Sequence, residues 1–494
     1  MNRKLPIFYS ALLLTGVNLL LRLVSTSFQV HISARIGAAG VGLLQLVLSV
    51  GSLAMTAGMA GVRTATMYLT AEELGKRRPQ NVTWVLSGCF LYSILCSGAI
   101  SLFLYLAAPF LAENWIGNLQ TLGAIRLFAV FLPLVCLCGC MTGYFTAANR
   151  IGTLAVIEIA EQLCYMTVTM LSLNFWAGTD SGKACQAVVL GSGVSACLTL
   201  VCLVILRLRE KPKTGPRISV TSALMQTAVP LALADNLKAG LSTTENLMVP
   251  KRLALYPKEH TPLATFGTVC GMVFPVLMFP AAILFGLAEL LIPELARCNA
   301  AGSQQRIRYL AMRCLRVAML YGCLCSGILY LLANTLCQAL YDSPVAGRYL
   351  QLYSILVPIL YCDAITDAMI KGLGEQKACV RYNIITSAMD IILLYLLLPR
   401  FGMDGYFLSF LITHLINFLL SLRRLLKITR ISIPFYIPAL TFGAGGLAVL
   451  GASLVVNPIG KVLTFLCLCG SLLVLFKVIS KQDLRWVQGL LTKQ

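Results

Sequence analysis

At 494 residues, 58% of them hydrophobic and only 12% charged, with a mean hydropathy of +0.83, the chain is too apolar for a soluble protein, which carries roughly 25% charged residues. Membrane crossings of about 20 residues each leave only short connections and exclude a sizeable soluble domain, so any function sits among the helices. Lys and Arg (39) outnumber Asp and Glu (19), but they form small clusters between apolar runs, which reads as membrane topology and excludes nucleic acid as a partner.

The N-terminal Met1-Asn2-Arg3-Lys4 before an apolar stretch looks like a leader, but the stretch runs on through Arg22 without a small-residue cleavage site and reads as a first crossing. Apolar periodicity then places crossings at 7–30, 43–69, 83–107, 123–146, 153–176, 185–206, 221–248, 264–291, 309–333, 347–370, 382–398, 405–421, 434–455 and 460–479. The predicted fold class is an all-α polytopic membrane protein of about fourteen transmembrane helices. Arg3/Lys4, Lys76-Arg77-Arg78, Arg150, 207–217, 297–316, 371–381, 423–430 and 477–493 all fall on one side of that alternation. By the positive-inside rule this side is cytoplasmic, with both termini on it. The 19 cysteines lie mostly within apolar runs, as in Cys136-Leu-Cys138-Gly-Cys140, and read as small buried hydrophobes; no metal site is expected.

A gapless shift of about 225 residues superposes Gly42 on Gly267, Gly61 on Gly286, Ala71 on Ala296 and Pro133 on Pro358, and aligns crossings two to five with eight to eleven. Six crossings separate the copies, so they share one orientation: a parallel pseudo-repeat. The expected organisation is an N-lobe over 1–206, a cytoplasmic linker over 207–220, a C-lobe over 221–421, and a C-terminal pair of helices with a cytoplasmic tail over 422–494. Two six-helix lobes around a midplane cavity suit alternating access.

A charge inside an apolar crossing costs at least ~2.5–3.5 kcal/mol and asks for a cavity, a partner or a route to the interface. Arg22 lies too deep in the first crossing to reach the interface easily, whereas Arg63 and Arg126 sit near enough to helix ends to snorkel. Asp235, Lys238, Ser242 and Glu245 are spaced by three or four residues and share one face of the seventh crossing. Lys238 and Arg22 point to an anionic ligand, with an internal Lys238–Asp235 pair as the bland alternative. The substrate-binding candidates are Arg22, Lys238, Arg63 and Arg35. The ion-coupling candidates are the intramembrane acids Asp235, Glu245, Glu158, Glu161, Asp363 and Asp367, for H+ or Na+; Glu289 and Asp390 are further buried acids. An ion pair with Lys371 four residues on would also account for Asp367, and His414 with Asn417 reads as interhelical hydrogen bonding. Pro133, Pro230, Pro275, Pro280 and Pro358 lie within or near the start of crossings, where each can kink a helix. No phosphate loop is present, because Gly460-Lys461 has Val455 at the earlier glycine position and Val462 at the hydroxyl position. No catalytic motif or cofactor site is found.

The run Arg22, Ala34-Arg35-Ile36-Gly37-Ala38-Ala39-Gly40-Val41-Gly42-Leu43, Gly58-Met59-Ala60-Gly61-Val62-Arg63 and Ala71-Glu72-Glu73 resembles the start of the polysaccharide-export branch of the multidrug/oligosaccharidyl-lipid/polysaccharide (MOP) exporter superfamily. Glu158-Ile159-Ala160-Glu161-Gln162-Leu163, Val249-Pro250-Lys251-Arg252-Leu253 and Gly402-Met403-Asp404-Gly405 are similar to the polysaccharide biosynthesis and stage V sporulation protein B-like flippases of that branch. The resemblance covers nearly the whole chain. It implies a MATE-like, two-lobe flippase moving an undecaprenyl-linked saccharide between leaflets, in sporulation, cell-wall or capsule synthesis. Arg22 matches a first-helix arginine of the lipid II group, while the Arg-Asp pair that follows there is Gln29-Val30 here.

The leading expectation is therefore a transporter, not an enzyme, in a bacterial cytoplasmic membrane, with a lipid-linked saccharide and membrane lipids as partners and synthesis enzymes of the wall or polysaccharide as candidate protein partners. An ion-coupled multidrug or organic-cation antiporter is the alternative, in which a carboxylate would dominate the cavity. A membrane glycosyltransferase or ligase is the third reading; it normally needs a large catalytic loop, and the longest connections are only about 15 residues.

Overall fold

The computed structural model describes residues 4–76, 78–178, 180–210, 220–431, 436–476 and 478, leaving out the side chains of 4–15, 17–19, 22, 151, 289 and 290. The described residues are mostly helical, without a strand. Most of the linker (211–219) and the C-terminal tail (479–494) lie outside the described residues, as do the side chains of Arg22 and Glu289.

The elements are α1 (Lys4–Met59), α2 (Val62–Gly75), α3 (Val82–Phe110), α4 (Leu122–Ala147), α5 (Ile151–Ser172), α6 (Ser181–Arg209), α7 (Thr221–Leu253), α8 (Pro262–Gly267), α9 (Phe274–Met278), α10 (Ala281–Ala300), α11 (Gln304–Tyr341), α12 (Pro344–Ser354), α13 (Val357–Gly372), α14 (Gln376–Phe401), α15 (Met403–Thr429), α16 (Tyr436–Ser453) and α17 (Pro458–Leu475). Among the described residues, ten helices are long and apolar enough to cross a membrane, or twelve if each of two bent pairs is one span. The expected fourteen is not reached on these criteria for two reasons. The first two expected crossings run into one element, and α7, at 33 residues, carries too many polar side chains to pass.

The connection expected between crossings one and two is a single residue. Helical geometry continues on both sides of Gly37, whose φ of 71° and ψ of 171° are open to glycine because it lacks a Cβ. In a bilayer an extended loop would leave amides and carbonyls unpaired, so a one-residue break costs less than a loop. A broken span also occurs at the α12–α13 junction, bent by 56° where Pro358 opens α13.

Polarity runs inside out on α3. Ser93 and Ser97 are fully buried while Leu95, Leu102, Phe103 and Leu106 are exposed, as expected of a helix whose outer face meets lipid. None of the 19 cysteines is in a disulfide, and only Cys467 is exposed.

Contacts divide the chain into two compact units: Met1–Gly271 with Ile391–Gly405, and Met272–Asp390 with Tyr406–Gln494. In the first unit, Val62, Ala65 and Leu69 of α2 share a core with Val85 and Cys89 of α3, Cys140 of α4, and Leu224 and Ala228 of α7. The seventh helix, expected to head the C-lobe, packs here against α1 and α8. Gly42 and Gly267, superposed by the repeat, pack against each other. A Cβ on Gly267 would lie 2.0 Å from the Ala38 carbonyl oxygen and 2.5 Å from the Gly42 nitrogen. In the second unit, Ala444, Ala448 and Ala452 form a small-residue ridge on α16 that packs with Phe465 of α17, whose ring fills the notch left by Gly327 of α11.

Candidate functional site

The polar face of α7 meets a break in the second crossing. Ala60 (φ 42°) and Gly61 (φ 72°) are both left-handed, so α1 ends and α2 restarts in mid-span. The Ala60 carbonyl freed by the break accepts a hydrogen bond from Tyr92 Oη of α3 at 3.2 Å. Gly61 is required twice over, since a Cβ there would be strained by its φ and would sit 2.5 Å from the Ala228 carbonyl oxygen of α7. Two hydrogen bonds set the register of α7 on α1: Thr243 Oγ1 donates to the Ser49 carbonyl at 3.1 Å, and Asn246 Nδ2 donates to Ser49 Oγ at 3.0 Å.

Between these elements lies a cavity of about 410 Å³. Ser52, Met55, Thr56 and Met59 of α1 line it at helical spacing, as do Gly61, Arg63 and Thr64 at the start of α2, and Asp235, Lys238, Ala239 and Ser242 of α7. Ser52 and Thr56 spend their hydroxyl protons on the Ser49 and Ser52 carbonyls of their own helix. Arg63, Lys238, Thr64 and Ser242 therefore remain as donors facing the space, with Asp235 as the one lining carboxylate. Among the described residues neither Arg63 nor Lys238 has a carboxylate at ion-pairing distance, so the internal Lys238–Asp235 pair is not formed. Gly61 holds the N-terminus of α2 without a side-chain cap, which leaves the positive end of that helix at the cavity wall.

The other sequence-derived candidates are dispersed. Arg22 belongs to α1, and its side chain lies outside the described residues. Arg35 is exposed, and its guanidinium donates to the Asn174 side-chain carbonyl just past the end of α5. Glu245 shares α7 with Lys238 but does not line the cavity. Glu158 and Glu161 line a second cavity of about 400 Å³ with Gln162 and Tyr165 of α5, Phe128 of α4, and Ser192 and Ser195 of α6. Thr199 of α6 hydrogen-bonds Glu161.

Asp363 and Asp367 belong to the second unit, on one face of α13. Asn417 of α15 clamps buried Asp363, its Nδ2 donating to Oδ1 at 3.0 Å and Oδ2 at 3.1 Å, with His414 Nδ1 3.7 Å from Oδ2. Asp367 accepts from Ser421 Oγ at 2.9 Å, Cys379 Sγ at 3.2 Å and Asn383 Nδ2 at 3.3 Å, and these partners stand where an ion pair with Lys371 was expected. Asp390 of α14 accepts from Ser409 Oγ at 2.5 Å. Sequence reasoning named Ser242 but missed the helix break, the cavity hydroxyls of α1 and α2, and the serine and threonine donors of α15; the only advance signal was the glycine pair Gly58 and Gly61.

Long apolar helices with cations and hydroxyls gathered in a cavity among them define a polytopic membrane protein. Residues 262–396 match the MatE family model. The chain is similar over 506 aligned residues, at 24% identity, to stage V sporulation protein B of Bacillus subtilis (strain 168), with 96% of each chain covered. The solved structure of the lipid II flippase MurJ in an inward closed conformation has a TM-score of 0.69 at 13% identity, covering 96% of this chain and 99% of its own. An inward-facing multidrug resistance MATE family transporter of the MOP superfamily has a TM-score of 0.68, also at 13% identity, covering 86% of this chain and 100% of its own. The chain thus carries a MatE segment and has the fold of the MATE and MurJ transporters of the MOP superfamily.

Proposed function

We propose that the chain is a flippase that carries an undecaprenyl-pyrophosphate-linked saccharide or peptidoglycan precursor across the bacterial cytoplasmic membrane by alternating access. Both termini would face the cytoplasm. The observation that carries this reading is the first cavity, where Arg63 and Lys238 face open space without an ion pair. A cation placed in an apolar span is costly unless something neutralises it. A diphosphate does so well, since a guanidinium matches two phosphate oxygens at once and an ammonium adds a mobile point charge. The volume suits a head-group fragment, being within the range of small-ligand sites. The likeness to stage V sporulation protein B and to the MurJ fold points the same way. Arg22 is proposed as a further contact from the first helix; Arg35, engaged by Asn174, would act only if released.

The test is reconstitution in liposomes with a fluorescent undecaprenyl-pyrophosphate sugar, following quencher access to the outer leaflet. Arg63→Ala and Lys238→Ala should each slow flipping at least tenfold, because a charge-assisted contact contributes about 1.5–3 kcal/mol. Both variants flipping at the wild-type rate would overturn the proposal.

One observation favours a second reading, ion-coupled antiport of an organic cation. Asp363 is a buried carboxylate held by neutral Asn417 with His414 beside it, an arrangement that can exchange a proton or Na+. In that case Asp363→Asn would abolish gradient-driven cation efflux, and no lipid would flip.

A further inference from the structure

Arg63 lines the first cavity and acts electrostatically on Glu158, which lines the second. The helices that carry the two residues, α2 and α5, both pack on α4. Gly143 lies so close to α2 that a Cβ on it would sit 2.4 Å from the Arg63 carbonyl oxygen, and one turn earlier a Cβ on Gly139 would lie 3.8 Å from Arg63 Cβ. These two glycines seat the first turn of α2 in a groove on α4, and α5, which carries Glu158, packs on the same helix. Among the described residues Glu158 has neither a hydrogen bond nor an ion pair, while Glu161 is held by Thr199. The charged and titratable groups around this pair are few. Arg63 acts on Glu158 from α2 and shares its own cavity with Asp235 and Lys238 of α7, Glu161 and Tyr165 share the helix of Glu158, and Cys138 of α4 has both Glu161 and Cys197 of α6 as neighbours. The residues from α1 that line the second cavity, Leu21 and Leu48, are apolar.

We propose that Arg63 is a cation shared between the two cavities, so that the first binds its anion tightly only when Glu158 in the second carries a proton. This deepens the flippase reading and rests on it. With Glu158 ionised, part of the field of Arg63 is spent across α4, and a diphosphate in the first cavity competes with a fixed carboxylate. With Glu158 protonated, that share of the charge of Arg63 is available to the diphosphate, and Asp235 of the first cavity is the same in both states. Linkage makes the effect reciprocal: anion binding draws on Arg63 and is accompanied by proton uptake at Glu158. The two cavities then exchange one positive charge without any movement of Arg63 out of its groove.

The experiment is calorimetric titration of the full-length protein in detergent with inorganic pyrophosphate, from acidic to alkaline pH. The quantity read is the ratio of wild-type to Glu158→Gln Kd, which cancels the titration of pyrophosphate itself. Glu158→Gln mimics the protonated carboxyl and keeps its shape, so the ratio should be about tenfold at alkaline pH, the order expected for one partly screened charge, and fall towards one as the pH drops. Wild type should take up more protons on binding than Glu158→Gln, measurable from the dependence of the heat on buffer ionisation, the difference cancelling the titration of pyrophosphate itself. Equal wild-type and Glu158→Gln affinities at every pH, with Arg63→Ala still abolishing binding, would overturn the coupling and leave the anion site standing. Wild-type affinity in Arg63→Ala would overturn the anion site itself.

Discussion

Gly267→Ala tests, with a single methyl group, the glycine of the first unit that lies nearest to the backbone of another helix. The new Cβ would meet the Ala38 carbonyl oxygen at 2.0 Å, the Gly42 nitrogen at 2.5 Å and the Gly42 Cα at 2.9 Å. All three are backbone atoms, so no rotamer change can relieve the clash. Carbon packs comfortably at about 3.5–4.0 Å, so α8 and α1 must part by about an ångström or more. Overpacking of this kind costs typically about 1–3 kcal/mol. Thermal unfolding in detergent, followed by size-exclusion fluorescence, should show a clear drop in Tm. Gly42→Ala should behave alike, its Cβ meeting the Leu263 carbonyl oxygen at 2.3 Å. The two substitutions open the same gap, so the double variant should lose less than the sum of the single losses. Gly98→Ala on α3 is the control, because nothing lies within 4 Å of its Cβ and the exchange should be neutral or stabilising. A Gly267→Ala protein that melts with wild type, as Gly98→Ala should, would refute the close packing of α1 on α8.

Asn417→Ala removes both hydrogen bonds to a buried carboxylate and leaves Asp363 with His414 at 3.7 Å. A loss of about 1–3 kcal/mol is expected, visible as a lowered Tm, and an unchanged melting curve would show that the clamp contributes nothing. Topology is tested by fusions truncated within connections on opposite sides. Green fluorescent protein after Gly302 should fluoresce in the cytoplasm, alkaline phosphatase after Gly178 should be active outside, and the reverse pattern would overturn the proposed orientation.

Much of this architecture was legible because lipid allows so few solutions. Backbone groups in hydrocarbon must be paired internally, so apolar runs of sufficient length become helices, and the boundaries of α3, α4, α5 and α6 follow the expected crossings closely. The same demand explains where the reading differed. Gly37-Ala38-Ala39-Gly40 looks like a connection by composition, yet pairing pressure confines the departure from helix to Gly37 alone. The break at Ala60 and Gly61 was less visible still. A left-handed alanine has no composition signature, and it persists because Tyr92 takes the freed carbonyl and α7 leaves no room beside Gly61.

The candidate site divides along the same line. Spacing of three and four residues correctly placed Asp235, Lys238 and Ser242 on one face of α7, since it needs only helix geometry. Depth for Arg63 was counted along an unbroken second crossing, which made snorkelling a sufficient account. With the helix restarting at Val62, Arg63 stands in the first turn of α2 and faces Lys238 across open space. Periodicity says which residues share a face but not which helix that face meets. That information sits in positions where a Cβ cannot be tolerated: Gly61 against α7, Gly143 against α2, Gly42 and Gly267 at the α1–α8 contact. Gly143 follows Gly139 by one turn on α4, the small-residue spacing that lets helices touch in a membrane. Glycine spacing therefore carried the partner information that hydropathy could not, and it is what seats Arg63 between α4 and the first cavity.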